Sequence, residues 1–228
     1  MKNRIIIAAD RTDWESVTRL GVALDNSGCA IKVGMELFYA HGTRALDFFA
    51  SKNLPIFLDL KLHDIPNTVG KAIANLCSLP VFMVNVHASG GLLMMQAAHE
   101  ARLKSQRKDL LLIAVTQLTS TSQAMMNQEL QVPGLLGDSV LHLAELTQRS
   151  GLDGVVCSAQ EVVQIKSKLT ASFKCITPGI RAAGGPSHDQ VRTMNPKEAL
   201  AAGSDYLVIG RAITEAADPR EALENFLS

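Results

Sequence analysis

The sequence predicts an α/β protein built as a closed (β/α)8 barrel, the TIM-barrel architecture, from three observations. Eight short apolar runs recur at a mean spacing of about 29 residues, the length of one strand–helix unit. The runs show little polar alternation, as is typical of parallel strands buried on both faces. Amphipathic segments separate them and would cover the outside of the sheet. An open, doubly wound sheet is the alternative.

The predicted strands are rich in β-branched and aliphatic residues. They span residues 5–9, 30–33, 55–60, 81–86, 110–115, 154–157, 173–177 and 206–209. Segments with helical periodicity span residues 14–27, 42–52, 68–77, 92–106, 139–150, 159–168, 195–202 and 215–227. Two connections, 118–138 and 178–190, are unusually long. Since strand–helix alternation resumes after each one, we interpret both as active-site loops of a single domain over residues 1–228.

The composition excludes several classes of protein. The chain has 228 residues, of which 47% are hydrophobic, and this is enough to bury a large core. Its 22 basic and 22 acidic residues give a formal net charge of zero, so we expect no nucleic acid or anionic membrane as a partner. The first apolar run ends at Asp10, too early for a secretory signal. The four cysteines lack the spacing of metal ligands, and we expect a cytoplasmic protein.

Charged side chains lie at the carboxyl ends of several predicted strands. In a barrel of this kind these ends form one mouth, where the functional residues gather. The residues concerned are Asp10, Lys32, Asp59, Lys61, Asp64, His87, Arg181 and Arg211.

The segment from Asp59 to Asp64 carries the strongest local signal. Strand side chains alternate between faces, so Asp59 and Lys61 should project together into the mouth. Asp64 is out of phase with them and must reach the same site by a turn or serve a site elsewhere, such as one in a partner subunit. The alternative is that Asp59 and Lys61 form an ion pair with each other at the rim of the barrel and have no functional role. His63, within this segment, and His87, at the end of the fourth predicted strand, could line the mouth but are interpreted as structural.

The loops after strands 7 and 8 predict an anion site. Gly179 comes two residues after Thr177 and Gly210 directly follows Ile209, and backbone N–H groups free of side-chain bulk can converge on a phosphate there. Arg181 and Arg211 would add charged donors. An ordinary turn with a solvated arginine is the simpler alternative.

Together these motifs resemble bacterial orotidine 5′-phosphate decarboxylases over essentially the whole chain. The resemblance rests on Asp10 and on five segments, in the same order and at compatible spacings. The segments are IKVG at 31–34, DLKLHDIPNT at 59–68, VTQLTS at 115–120, TPGIR at 177–181 and VIGR at 208–211.

The resemblance implies conversion of orotidine 5′-phosphate to UMP and CO₂ by a homodimer, with no metal or organic cofactor. Lys61 would protonate C6 of the pyrimidine within a catalytic network of Lys32, Asp59, Lys61 and the Asp64 of a partner. The remaining implied roles concern substrate binding. Asp10 and Lys32 would hold the ribose with Asp64 and Thr68 of the partner, Asp59 would lie near the departing carboxylate, Thr119 would contact the pyrimidine, and Arg181, Gln190, Gly210 and Arg211 would bind around the phosphate.

Two rival functions remain open. One is a magnesium-dependent sugar-phosphate decarboxylase similar to the 3-keto-L-gulonate 6-phosphate enzymes, which share the Asp-x-Lys-x-x-Asp pattern. Those enzymes place a carboxylate on strand 2, where this chain has Lys32, and a cation there opposes Mg²⁺ binding. The other is a non-catalytic nucleotide-binding barrel, which would have no need of the Asp59–Lys61 pair.

Overall fold

The computed structural model describes residues 2–180 and 194–226. In this part of the chain, eight parallel strands close into a barrel in sequence order, as predicted. The strands are β1 (Ile5–Ala8), β2 (Ala30–Gly34), β3 (Ile56–Leu62), β4 (Met83–His87), β5 (Leu111–Val115), β6 (Gly154–Val156), β7 (Lys174–Thr177) and β8 (Tyr206–Ile209).

Helices cover the outside of this barrel. They are α1 (Trp14–Ala23), α2 (Met35–His41), α3 (Thr43–Ser51), α4 (Pro66–Leu76), α5 (Gly91–Lys104), α6 (Leu136–Arg149), α7 (Val162–Lys168), α8 (Pro196–Ala201), α9 (Arg211–Thr214) and α10 (Pro219–Asn225). Short 3₁₀ turns precede β1, α5 and α7, and a π-helical turn, Met125–Glu129, lies in the long β5–α6 connection.

The strands look uniformly apolar in sequence because both of their faces are buried. In β1, Ile5 and Ile7 belong to the large core between strands and helices, whereas Ile6 and Ala8 belong to a separate cluster enclosed by the barrel. That inner cluster takes one or two residues from most strands. Burial on both sides removes the polar alternation that a half-exposed strand would show.

Several predicted boundaries were wrong. The first helix ends at Ala23 rather than residue 27, and the last begins at Pro219 rather than residue 215. Strand β3 continues two residues past its predicted end, to Leu62. The short helices α2 and α9 were not predicted; each begins directly after a single glycine that follows or ends a strand, Gly34 or Gly210, and leaves no loop between strand and helix.

Charged residues also cluster at the amino-terminal end of the barrel, here called the lower end. Asp205, just before β8, accepts hydrogen bonds from Lys166 Nζ at 2.7 Å and from the Cys175 backbone N–H at 2.9 Å. Asp153, just before β6, accepts one from the Leu112 N–H at 2.7 Å and pairs with the buried Arg102. These carboxylates therefore bind backbone groups of neighbouring strands as well as cations.

The described residues include no helix with the length and apolar character needed to cross a membrane.

Candidate active site

The mouth of the barrel is polar because the inward-facing positions change character along each strand. Ala30 and Phe57 belong to the inner apolar cluster, and the next inward positions on their strands are Lys32 and Asp59. On β4, Met83 is followed in the same phase by Asn85. The barrel interior is thus apolar below and charged or polar one layer above.

Four side chains form a row of alternating charge at this mouth. Lys32 Nζ lies 2.7 Å from Asp10 Oδ1 and 3.5 Å from Asp59 Oδ2. The other carboxylate oxygen of Asp59, Oδ1, accepts a hydrogen bond from Lys61 Nζ at 2.7 Å. Asp10 is half exposed, whereas Lys32 and Asp59 are nearly buried. Each carboxylate of the row thus has at least one ammonium partner.

Lys32 and Asp59, the two most buried members of the row, keep their charges despite their burial. Burial alone would lower the pKa of Lys32, but the carboxylates of Asp59 and Asp10 outweigh it and raise that pKa above its ordinary value. Burial would likewise raise the pKa of Asp59, yet Lys32 and Lys61 on either side of it lower that pKa overall. Both groups are therefore ionised at neutral pH.

Lys61 reaches Asp59 through an irregular backbone and not by simple strand alternation. Its φ is +53°, in the left-handed region that non-glycine residues rarely adopt. The parallel register pairs Leu58 with Val84 and Leu62 with Val86, so three residues of β3 lie opposite Asn85. This bulge re-aims the lysine side chain toward the barrel mouth.

Asn85 is the polar residue at the centre of this irregularity. Its Oδ1 accepts a hydrogen bond from the Lys61 backbone N–H at 2.8 Å, and its Nδ2 donates one to Asp59 Oδ1 at 2.6 Å. Only 1% of the residue is exposed. Sequence reasoning missed Asn85, although an asparagine in phase with Met83 inside an apolar run was a usable signal.

Gly34, at the end of β2, leaves the space that the charged row occupies. A Cβ at this position would lie 2.9 Å from Lys32 Nζ and 3.1 Å from Asp10 Oδ1. Any larger residue would therefore push the Lys32–Asp10 pair apart. Sequence reasoning quoted this glycine within a motif but assigned it no role.

A cavity of about 540 Å³ opens above the row, within the usual size range of small-molecule sites. Its lower wall is apolar and includes Phe57, Val115 and Val208. Seven of the residues singled out in the sequence line it: Asp10, Lys32, Asp59, Lys61, Thr119, Gly210 and Arg211. The cavity also receives Arg11, Glu36, Thr214 and Glu215, which sequence reasoning did not select.

The other candidate residues lie elsewhere or are not described. Asp64 and Thr68 are exposed and are absent from the described cavity lining, and Asp64 Oδ1 accepts a hydrogen bond from the Ile65 N–H at 2.6 Å. Arg181 and Gln190 fall outside the described residues. His63 and His87 lie beside each other with ring centroids 5.6 Å apart. Burial, reinforced by His63 and Lys61, lowers the pKa of His87 and favours its neutral form.

The parallel barrel and the charged row above an apolar floor define an enzyme of the (β/α)8 class with a small-molecule site at the carboxyl ends of its strands. No group of three or more His, Cys, Asp or Glu residues suited to a metal ion occurs within residues 2–180 and 194–226.

Comparison with known proteins identifies the family. Residues 3–226 match the model of the orotidine 5′-phosphate decarboxylase / HUMPS family, and the chain belongs to this family. The resemblance seen in the sequence motifs is thereby confirmed.

Individual relatives match over nearly their full length. The chain is 48% identical to an orotidine 5′-phosphate decarboxylase of Shewanella sediminis, over 98% of this chain and 95% of the relative. It is 50% identical to one of Nitrosococcus oceani, with coverage of 97% and 95%. The crystal structure of the Lactobacillus acidophilus decarboxylase superposes with a TM-score of 0.87 at 36% identity, covering 98% of this chain and 96% of that one.

Proposed function

We propose that this protein decarboxylates orotidine 5′-phosphate to UMP and CO₂, the last step of de novo pyrimidine synthesis. The observation that carries this proposal is the row Asp10–Lys32–Asp59–Lys61, held at the mouth of the barrel by contacts of 2.7 to 3.5 Å. The chain is 48% and 50% identical to two orotidine 5′-phosphate decarboxylases over nearly its full length, and this similarity supports the proposal.

The chemistry explains why a fixed lysine is needed. When the bond between C6 and the carboxylate carbon breaks, its electron pair stays on C6, where no adjacent carbonyl delocalises it. An ammonium about 4 Å away stabilises such a charge by roughly 4 kcal/mol at an effective dielectric of about 20. Lys61 then gives a proton to C6 and regains one from solvent, and CO₂ leaves as the second product.

The surroundings of Lys61 supply the rest of the stabilisation. The ammonium is already held by Asp59, so it needs little reorganisation as the charge develops. Asp59 would lie near the departing carboxylate. We assign Asp10 and Lys32 to the ribose, Thr119 to the pyrimidine, and Gly210 and Arg211 to the phosphate. Arg181 and Gln190 would complete the phosphate site. Binding of these remote groups orders the reactants about the lysine.

The charges at the mouth favour this chemistry over the magnesium-dependent alternative. The Lys32 ammonium lies between the carboxylates of Asp10 and Asp59, where a divalent cation would meet a fixed positive charge. The four cysteines are buried and none of them forms a disulfide, which fits the reducing cytoplasm that we propose as the location.

A spectrophotometric assay of orotidine 5′-phosphate consumption, run with and without EDTA, tests the proposal. We expect UMP and CO₂ in equal amounts and the same rate after exhaustive chelation. Loss of activity with EDTA and its return with Mg²⁺ would favour the sugar-phosphate alternative. Tight UMP binding without turnover would favour the non-catalytic barrel.

We further propose a homodimer in which Asp64 and Thr68 complete the site of the partner. Both residues are exposed on this chain, and Thr68 lies on α4, the helix that packs against α5. Ile65, next to Asp64, is 65% exposed, and Leu93 in the first turn of α5 is 71% exposed. An exposed apolar surface next to an incomplete polar site is typical of an interface.

Hybrid dimers test this arrangement. Lys61→Ala and Asp64→Asn should each be inactive alone, but a mixture that exchanges subunits should regain about a quarter of wild-type activity, because half the dimers are hybrids with one intact site. Subunit exchange is checked by native mass spectrometry. Exchange without regained activity would contradict a shared site.

A further inference from the structure

The bulge in β3 leaves Lys61 with a left-handed backbone conformation, which a lysine rarely adopts. Among the described residues, five that are not glycine have a positive φ: Asn26, Asn53, Lys61, Gln106 and Gln131. The asparagines and glutamines lie in turns or loops, whereas Lys61 lies within a strand. A lysine in this region is held by contacts outside its own residue.

The carboxamide of Asn85 supplies those contacts from the neighbouring strand. Because three residues of β3 lie opposite Asn85, regular strand pairing does not serve the bulged segment. The Asn85 Oδ1 instead accepts from the Lys61 N–H at 2.8 Å. Loss of this acceptor would leave a partly buried backbone donor without its partner.

The other half of the same carboxamide fixes the counter-ion of Lys61. Asn85 Nδ2 donates to Asp59 Oδ1 at 2.6 Å, and this same oxygen accepts from Lys61 Nζ at 2.7 Å. One planar group therefore sets the backbone of the lysine and the carboxylate that orients its ammonium. A side chain with only donors or only acceptors cannot make both bonds.

We propose that Asn85 is a positioning residue that holds the left-handed backbone of Lys61 and aims its ammonium into the cavity. Asn85 is absent from the described cavity lining and acts through Lys61 and Asp59. The inference rests on the proposed function only for its kinetic consequence, since the geometric effect on Lys61 can be measured separately.

Asn85→Ala tests the kinetic consequence. We expect kcat for orotidine 5′-phosphate to fall about 100-fold, because a misplaced ammonium no longer meets the developing charge. The KM should stay within about threefold, because Asn85 is not among the groups that we assign to substrate binding. A kcat within twofold of wild type in the folded variant would overturn the proposal.

Thr147→Val is the matched control for a merely structural effect. Thr147 is fully buried in α6, away from the mouth, and donates to the Leu143 carbonyl at 2.7 Å. This variant also loses a buried polar contact, so its melting temperature should fall while its kcat stays within twofold of wild type. Equal losses of kcat in both variants would show that Asn85 acts through stability alone.

Asn85→Asp gives a signature in the pH profile and remains informative if Asn85→Ala fails to fold. The new carboxyl would lie beside Asp59 and Lys61 on β3. Lys32 on β2 contacts the same Asp59, and His87, paired with His63, lies within electrostatic reach of Asp59 and Lys61. A carboxylate directly beside Asp59 raises the shared pKa of the two acids. Protonated, the carboxyl can accept from the Lys61 N–H and donate to Asp59, as the amide does.

The activity of Asn85→Asp relative to wild type should therefore be highest in acid and fall as the pH rises through that shared pKa, by up to about tenfold per unit. A constant ratio across the pH range would contradict the proposal. Crystal structures of the variants supply a readout that needs no turnover: φ of Lys61 should leave the left-handed region in Asn85→Ala. If the wild-type protein itself does not consume orotidine 5′-phosphate, the proposed function is wrong. The geometric inference is then tested by the crystal structure of Asn85→Ala alone.

Discussion

The two ends of the barrel use charged residues in opposite ways. At the lower end, Asp153 and Asp205 each accept a hydrogen bond from a strand N–H as well as from a cation. At the mouth, the Asp59 carboxylate contacts the two lysines and the Asn85 amide. Lower-end charges tie strands to one another, whereas charges at the mouth mostly face each other and the cavity.

This difference separates stability from activity within one fold. Removing a lower-end carboxylate leaves backbone donors of the sheet without partners, so we expect it to affect unfolding. Removing a charge from the mouth leaves the sheet intact and changes what the cavity can do. Substitutions at the two ends should therefore fall into two distinct groups when kcat and the free energy of unfolding are both measured.

Lys61→Ala should have the largest effect on activity. We expect kcat to fall at least about 1000-fold, because the variant loses both the stabilising charge and the proton donor. It should still fold and bind UMP, as measured by circular dichroism and calorimetry. Lys174→Ala, at the lower end, is the matched control and should keep kcat within twofold. Near-normal turnover by Lys61→Ala would refute the assigned role of the lysine.

Gly34→Ala should have an intermediate effect. The added Cβ would lie 2.9 Å from Lys32 Nζ, and since the end of a lysine can move, the row should shift and the fold survive. We expect kcat/KM to fall roughly 10-fold to 100-fold with little change in melting temperature. Gly137→Ala is the control, because its Cβ would meet only Gln164 Oε1 at 3.7 Å. Equal kinetics in the two variants would contradict the crowding at Gly34.

Asp205→Asn should have the smallest effect on activity and a clear effect on stability. We expect a loss of about 1 to 2 kcal/mol in the free energy of unfolding at pH 7, with kcat within twofold. Burial would raise the pKa of Asp205, but Lys166 and the Cys175 N–H outweigh it and lower that pKa in the folded state.

The sign of this shift sets the pH dependence. A carboxylate with a lowered pKa stabilises the fold above its ordinary value of about 3.9, and the contribution disappears as the pH falls further, through the folded-state pKa. The stability difference between wild type and Asp205→Asn should therefore be constant near neutrality and shrink below about pH 4. Denaturant unfolding at several pH values measures it. A difference that grows in acid would show that Asp205 is not held as an anion.

The sequence predicted the barrel because two-sided burial leaves a plain signal, eight apolar runs at regular spacing. It also predicted most of the row at the mouth, since Lys32, Asp59 and Lys61 are charges inside or at the end of such runs. It did not predict the bulge. Regular strand alternation predicts that Asp59 and Lys61 lie on the same face. The observed contact instead depends on a left-handed backbone at Lys61, in the bulge that β3 forms against β4. Asn85 was missed for the same reason, because its partners lie 24 and 26 residues away.

The left-handed φ at Lys61 is a feature that can be looked for in other proteins. Such a backbone disfavours a side-chain-bearing residue by about 1 to 2 kcal/mol, and glycine would adopt it freely. Glycine at this position would remove that cost but would carry no ammonium, so the lysine is explained by the proposed chemistry and not by stability. A survey of parallel barrels for non-glycine residues with a left-handed backbone inside a strand would therefore identify candidate reactive side chains in structures that contain no substrate.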